Sequence, residues 1–158
     1  MPTIYEDTAQ KLGKHENIRR YMERHGVKLT RVKLDTGDYI APPTVSVDTK
    51  QGMSEVYQDV VGDHDRFRAE CIRAKEDGIR LVILIEDADV SCLEDVEFWE
   101  NPLEKRGKRT RPSKQLMVSM KTMATRYGVE WQFCHPAQTG RRICEILGVV
   151  EDAEKGVD

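Results

Sequence analysis

The chain has 158 residues, 39% of them hydrophobic and 34% charged, the balance of a globular domain able to bury a proper core. No apolar run approaches the roughly 20 residues of a membrane span, and Met1 to Asp7 has neither the basic start nor the apolar stretch of a secretion signal, so a soluble cytoplasmic protein is expected. A formal net charge of −3 excludes a protein that coats nucleic acid by bulk electrostatics, but not an enzyme whose carboxylates gather cations on one face.

In chain order, Thr3 to Glu6 reads as a short strand. A helix from about His15 to His25 follows, with Ile18, Tyr21, Met22 and His25 on one stripe and Gly26 as its stop. Val27 to Leu34 reads as a strand whose alternation slips near Leu29–Val32, the mark of a bulge. Asp38 to Ala41 and Val45 to Thr49 face each other across Pro42-Pro43, where prolines belong in the connection. Ser54 is positioned to cap a helix toward Val61, and Asp63 a second one to about Asp77 with Phe67, Cys71 and Ala74 on its apolar face.

Leu81 to Ile85 is an unbroken apolar run, expected of a strand buried on both faces. Residues 87 to 112 read as irregular apart from a short helix at Leu93–Trp99. Ser113 opens an amphipathic helix to Tyr127 whose methionines belong to the core. Val129 to Cys134 is the last strand, and Pro136 starts a closing helix with Ile143, Ile146 and Leu147. Strands alternating with helices predict an α/β domain of three layers, α/β/α, around a central mixed sheet. One domain is expected over residues 1–150, with a frayed acidic tail over 151–158. Cys71, Cys92, Cys134 and Cys144 form no C-x-x-C pair, which predicts free thiols rather than disulfides or zinc.

The chemistry concentrates in the hairpin. Asp38 and Asp48 lie five residues either side of Pro43. With that proline at the centre of the loop they oppose each other, an arrangement that is destabilising unless a cation sits between them. Lys50, two residues beyond Asp48, shares its face. Two carboxylates and an ammonium on one face suit phosphodiester hydrolysis with magnesium, which takes one or two carboxylates and keeps its waters. The plainer alternative is a surface hairpin carrying ordinary charges; an even-numbered loop would shift the register and separate the pair.

Gly37-Asp38-Tyr39 followed by Val45-Ser46-Val47-Asp48-Thr49-Lys50 resembles the G-D-Y…V-E-R-K core of the XPF-type structure-specific nucleases of the PD-(D/E)XK superfamily. Asp7 matches an acidic residue ahead of the family's first helix, and Leu81 to Glu86 is similar to the apolar strand ending in glutamate that follows its active-site helix. The resemblance covers Ile4 to Glu86, is nearest to compact phage- or prophage-like versions, and implies a restriction-endonuclease-like fold. It implies a DNA endonuclease of repair, recombination or phage DNA processing, selective for branched or flap DNA. Asp38 and Asp48 would ligate magnesium, or manganese in its place, with the Thr49 carbonyl as a third ligand. Lys50 would be the catalytic lysine, and Asp7 an auxiliary acid that Glu16 could join. Asp48 replaces the family's glutamate, Thr49 its arginine, and Ser54 the acid four places past the lysine, with Glu55 one place late. The helix-hairpin-helix module of many relatives is missing, so a homodimer rests on analogy alone. No nucleotide cofactor is implied.

The dense basic run Lys105, Arg106, Lys108, Arg109, Arg111 and Lys114 reads either as a phosphate-binding arm or as a solvated loop. Arg66 and Arg73, about two turns apart on one helix, read either as phosphate contacts or as a solvated face. Two other functions compete with the nuclease: a DNA-binding or partner module of the same fold with a dead site, and a Toprim-like metal site at Asp87 and Asp89.

Overall fold

Five consecutive apolar residues, Leu81 to Ile85, are each no more than 1% exposed. A strand covered on both faces gains about 1.5–3 kcal/mol for each large side chain it hides, which places this segment inside the sheet. The computed structural model describes residues 3–11, 13–41, 45–105, 107 and 112–149. The expected acidic tail and the centre of the hairpin turn lie outside them.

Six strands form one sheet: β1 (Thr3–Asp7), β2 (Lys28–Val32), β3 (Tyr39–Ala41), β4 (Val45–Lys50), β5 (Arg80–Glu86) and β6 (Glu130–Cys134), in the order β2-β1-β3-β4-β5-β6. β3 pairs antiparallel with β1 and β4, and the remaining neighbours are parallel. The mixed sheet is therefore as expected.

Helices cover both faces. α1 (Glu16–Arg24) and α6 (Thr139–Leu147) enclose one core with Ile4, Tyr39, Val47 and Leu84. They touch where Gly140 sits, since a Cβ there would lie 2.8 Å from the Tyr21 Cβ. On the other face α2 (Met53–Tyr57), a π-helical turn (Gln58–Gly62), α3 (His64–Glu76) and α5 (Ser113–Tyr127) pack on Leu81, Ile83 and Ile85. α4 (Pro102–Lys105) is a single turn.

Fully buried Glu6 ties four elements together. It receives hydrogen bonds from Arg19 on α1 (2.9 Å), Arg31 on β2 (2.7 Å) and the Tyr39 hydroxyl on β3 (2.9 Å). A buried carboxylate is tolerable only when its lone pairs are filled in this way.

Several local expectations differ from the structure. β2 carries no bulge: Lys28 to Val32 stay in step with Thr3 to Asp7. It is an edge strand with no fully buried residue, so nothing enforces alternation. Val27 belongs to the stop of α1, donating to Met22 O at 2.9 Å. Ser54 lies inside α2, which follows Gly52, and neither Ser54 nor Asp63 makes a side-chain cap. Pro136 opens a 3-10 turn (Pro136–Gln138) ahead of α6. All four cysteines are free thiols. Among the described residues no helix is long and apolar enough to cross a membrane.

Candidate active site

The hairpin pairs Tyr39 with Val47, Ile40 with Ser46 and Ala41 with Val45. One more step of that register would oppose Asp38 and Asp48, but the ladder ends first. The Asp38 N–H donates to Val47 O (2.8 Å), and its carbonyl accepts from Asp7 N (2.7 Å). The two carboxyls are nonetheless near enough for the charge of Asp48 to act on Asp38. Asp38 Oδ2 also accepts from the Thr49 N–H (2.8 Å) and hydroxyl (3.0 Å). Gly37 makes this bend feasible: its φ is +76°, and a Cβ there would stand 2.0 Å from Ser46 Oγ. Only glycine satisfies both constraints.

Burial, followed by the charge of Asp48, pushes the Asp38 carboxyl up to about 8, against the pull of the Thr49 N–H. Burial also raises Asp48, with Lys50 pulling it back and Glu70 adding to the rise through charge and a hydrogen bond. Two such groups cannot both ionise comfortably at neutral pH, so the pair demands a proton or a cation.

Lys50 shares the sheet face of Asp48. Its Nζ lies 3.3 Å from Asp48 Oδ1, 2.6 Å from Asp59 Oδ2 and 5.6 Å from the centre of the Phe67 ring. Burial opposes its charge, but Asp48 and then Asp59 outweigh that and raise its pKa. Its neighbours therefore favour the ammonium form.

Asp38, Asp48, Thr49 and Lys50 wall a cavity of about 250 Å³. Across it the segment between β1 and α1 contributes Gln10, Lys11, Lys14 and His15, and Glu55 closes one side. Burial lowers the His15 pKa, against the nearby charges of Asp38 and Glu6. A second cavity of about 130 Å³ adjoins it through Lys14, His15 and Gln51. Glu86 borders that one, raised to about 7 by burial and then by Glu55.

The structure thus brings Asp38, Asp48, Thr49 and Lys50 together. Asp7 is hydrogen-bonded to Asp38 through its backbone and, by the Glu6–Tyr39–Val47 register, shares the sheet face of Asp48. It does not line the cavity, and its Oδ1 accepts from Leu34 N at 3.0 Å. Glu16 borders only the second cavity, half-exposed and 3.7 Å from Arg19. Arg66 is exposed and 3.8 Å from Asp63. Arg73 donates to Asp35 O at 3.2 Å, and neither arginine lines the cavity. Lys114 is exposed in the first turn of α5, and Lys105 ends α4. Arg106, Lys108, Arg109 and Arg111 lie outside the described residues. Asp87 is engaged as a loop cap, its Oδ1 accepting from Asp89 N and Val90 N at 2.8 and 2.9 Å, which leaves the Toprim-like alternative without geometric support.

Sequence reading missed Asp59, Glu70 and the Lys11–His15 wall. Glu70 had a legible signal, since it stands at i+3 from Phe67 and i−4 from Ala74, a carboxylate beside an apolar stripe. Its Oε1 accepts from Gly37 N at 3.1 Å and steadies the turn ahead of Asp38.

Among the described residues no three His, Cys, Asp or Glu side chains form a closed metal cage. Two adjacent buried carboxyls opening on a cavity are instead a partial oxygen shell, which fits magnesium because that ion retains most of its waters. The sheet order and its helical cover define an α/β fold of the XPF nuclease kind. It is similar to XPF from Aeropyrum pernix (TM-score 0.67, 20% identity, 92% of this chain and 63% of that one). It is also similar to XPF from Aeropyrum pernix in complex with DNA (TM-score 0.67, 18% identity, 94% and 64%). The chain spans less than two thirds of the length of either. No protein-family profile and no curated protein matches it.

Proposed function

We propose that this chain is a metal-dependent DNA endonuclease of the XPF type and PD-(D/E)XK superfamily, acting on branched or flap-like DNA. The observation that carries this reading is the buried Asp38–Asp48 pair beside the Lys50 ammonium on the wall of a cavity. The likeness of fold to an XPF structure in complex with DNA supports it.

Asp38 and Asp48, with the Thr49 carbonyl, would hold magnesium, and manganese would serve in its place. When bound, the ion polarises the phosphoryl oxygen and acidifies a water molecule. Lys50 offsets charge that develops on the phosphorus oxygens. Lys11 and Lys14 across the cavity neutralise the flanking phosphates, which sets the position of the strand without reading its sequence. The basic run Lys105 to Lys114 adds salt-dependent affinity.

The test is a panel of duplex, single-stranded, flap and four-way DNA incubated with magnesium or manganese, with Asp48→Asn and chelator as controls. Cleavage that both controls abolish is the expected result, with flap or four-way DNA cut fastest. Binding without cutting by the wild-type protein would favour the dead-site module instead.

A further inference from the structure

We propose that Asp59, carried by the π-helical turn, is a positioning residue that fixes the ammonium of Lys50. This deepens the nuclease reading and rests on it. Of the two carboxylates at Lys50, Asp59 is the nearer, at 2.6 Å against 3.3 Å for Asp48. The lysine side chain is 12% exposed and that of Asp59 25%, so the pair lies largely out of solvent, where the attraction between opposite charges is little screened. Phe67 presents its ring to the same ammonium. Asp48, Asp59 and the ring thus form a three-sided seat.

The backbone explains how Asp59 reaches this place. Met53, Val56, Tyr57 and Val60 are buried at i, i+3, i+4 and i+7, which ties the start of the segment to the core. After Tyr57 the helix widens, and Asp63 N donates to Gln58 O, five residues back, at 2.5 Å. A π-turn is a costly departure from α geometry and recurs at functional sites. Here its one acidic side chain is the partner of Lys50. In a site where Asp48 is also needed for a cation, a second carboxylate serves a purpose. It holds the lysine when Asp48 turns its charge toward metal.

Cleavage kinetics of Asp59→Asn and Asp59→Glu on the best substrate, with magnesium, test the assignment. Asp59→Asn is expected to lower kcat about tenfold, less than the roughly hundredfold cost of displacing a catalytic group by an ångström. KM and DNA affinity should hold, and Asp59→Glu should restore most of the rate. If Asp59→Asn fails to fold, Asp59→Ser is measured in its place. Lys50 acylation in the metal-free protein, followed by mass spectrometry with Lys114 as the exposed reference, gives a readout independent of cutting. Faster labelling of Lys50 in Asp59→Asn is expected. A kcat within twofold of wild type, or a fall in kcat matched by a rise in KM and unrelieved by glutamate, would overturn the proposal. If the wild-type protein cuts no DNA, the nuclease reading is what has failed. The labelling ratio then decides alone whether Asp59 holds the lysine.

Discussion

At Asp48 activity and stability pull in opposite directions. The residue is 4% exposed and its carboxyl lies beside that of Asp38, an arrangement useful to a cation and unfavourable without one. Asp48→Asn is expected to abolish cleavage while stabilising the chelated protein at pH 8 by about 1 kcal/mol, because removing one of two crowded buried charges relieves repulsion. Urea unfolding with chelator present checks this; a less stable variant would contradict the crowded pair. Glu86 offers a separate pH test. Its folded pKa of about 7 lies above the ordinary 4.5, so between those values the unfolded chain gives up its proton first and stability falls as pH rises. Glu86→Gln should therefore gain relative to wild type between pH 5 and pH 8, by about 1–2 kcal/mol after allowance for solvent screening. An equal difference at both pH values would refute the assignment.

Among the elements, the hairpin and the helix behind it set the site, and only part of that was written in local pattern. Gly37→Ala should cost about 2–4 kcal/mol, since the new methyl meets both a left-handed backbone and Ser46. Thermal unfolding measures it, and a loss under 1 kcal/mol would mean the turn relaxes easily. Asp38, Asp48 and Lys50 were legible because strand alternation and a proline-centred loop are short-range rules. β5 was legible because five apolar residues in a row fit a strand buried on both faces. The supposed bulge in β2 was not a bulge, because an edge strand need not alternate. The burial of Glu6 was not legible, because an acid's place in sequence says nothing of its face until the strand has neighbours. Asp59 left no trace, since a π-turn has no periodicity to detect, and its meeting with Lys50 is a tertiary event.

At the scale of the whole molecule, an acidic protein that engages DNA must do so through local positive surface. Replacing Lys108, Arg109 and Arg111 with glutamine should flatten the plot of log affinity against log salt by about 0.9 for each lost phosphate contact. Fluorescence anisotropy across a salt series reads the slope, and an unchanged value would remove that run from the binding surface. The α/β architecture was foreseeable from the alternation of strand and helix, whereas the sheet order, with β3 between β1 and β4, depends on long-range pairing.

The support that α6 gives to Tyr39 and Val47 has a temporal corollary. Those residues form the back of the hairpin, yet Ile143 and Cys144, which pad them, are translated about a hundred positions later. At bacterial-to-eukaryotic elongation rates of about 5–20 residues per second, the delay is roughly 5–20 s. A nascent chain on the ribosome therefore carries Asp38, Asp48 and Lys50 without the buttress that sets them. The pocket takes its shape only once α6 has docked.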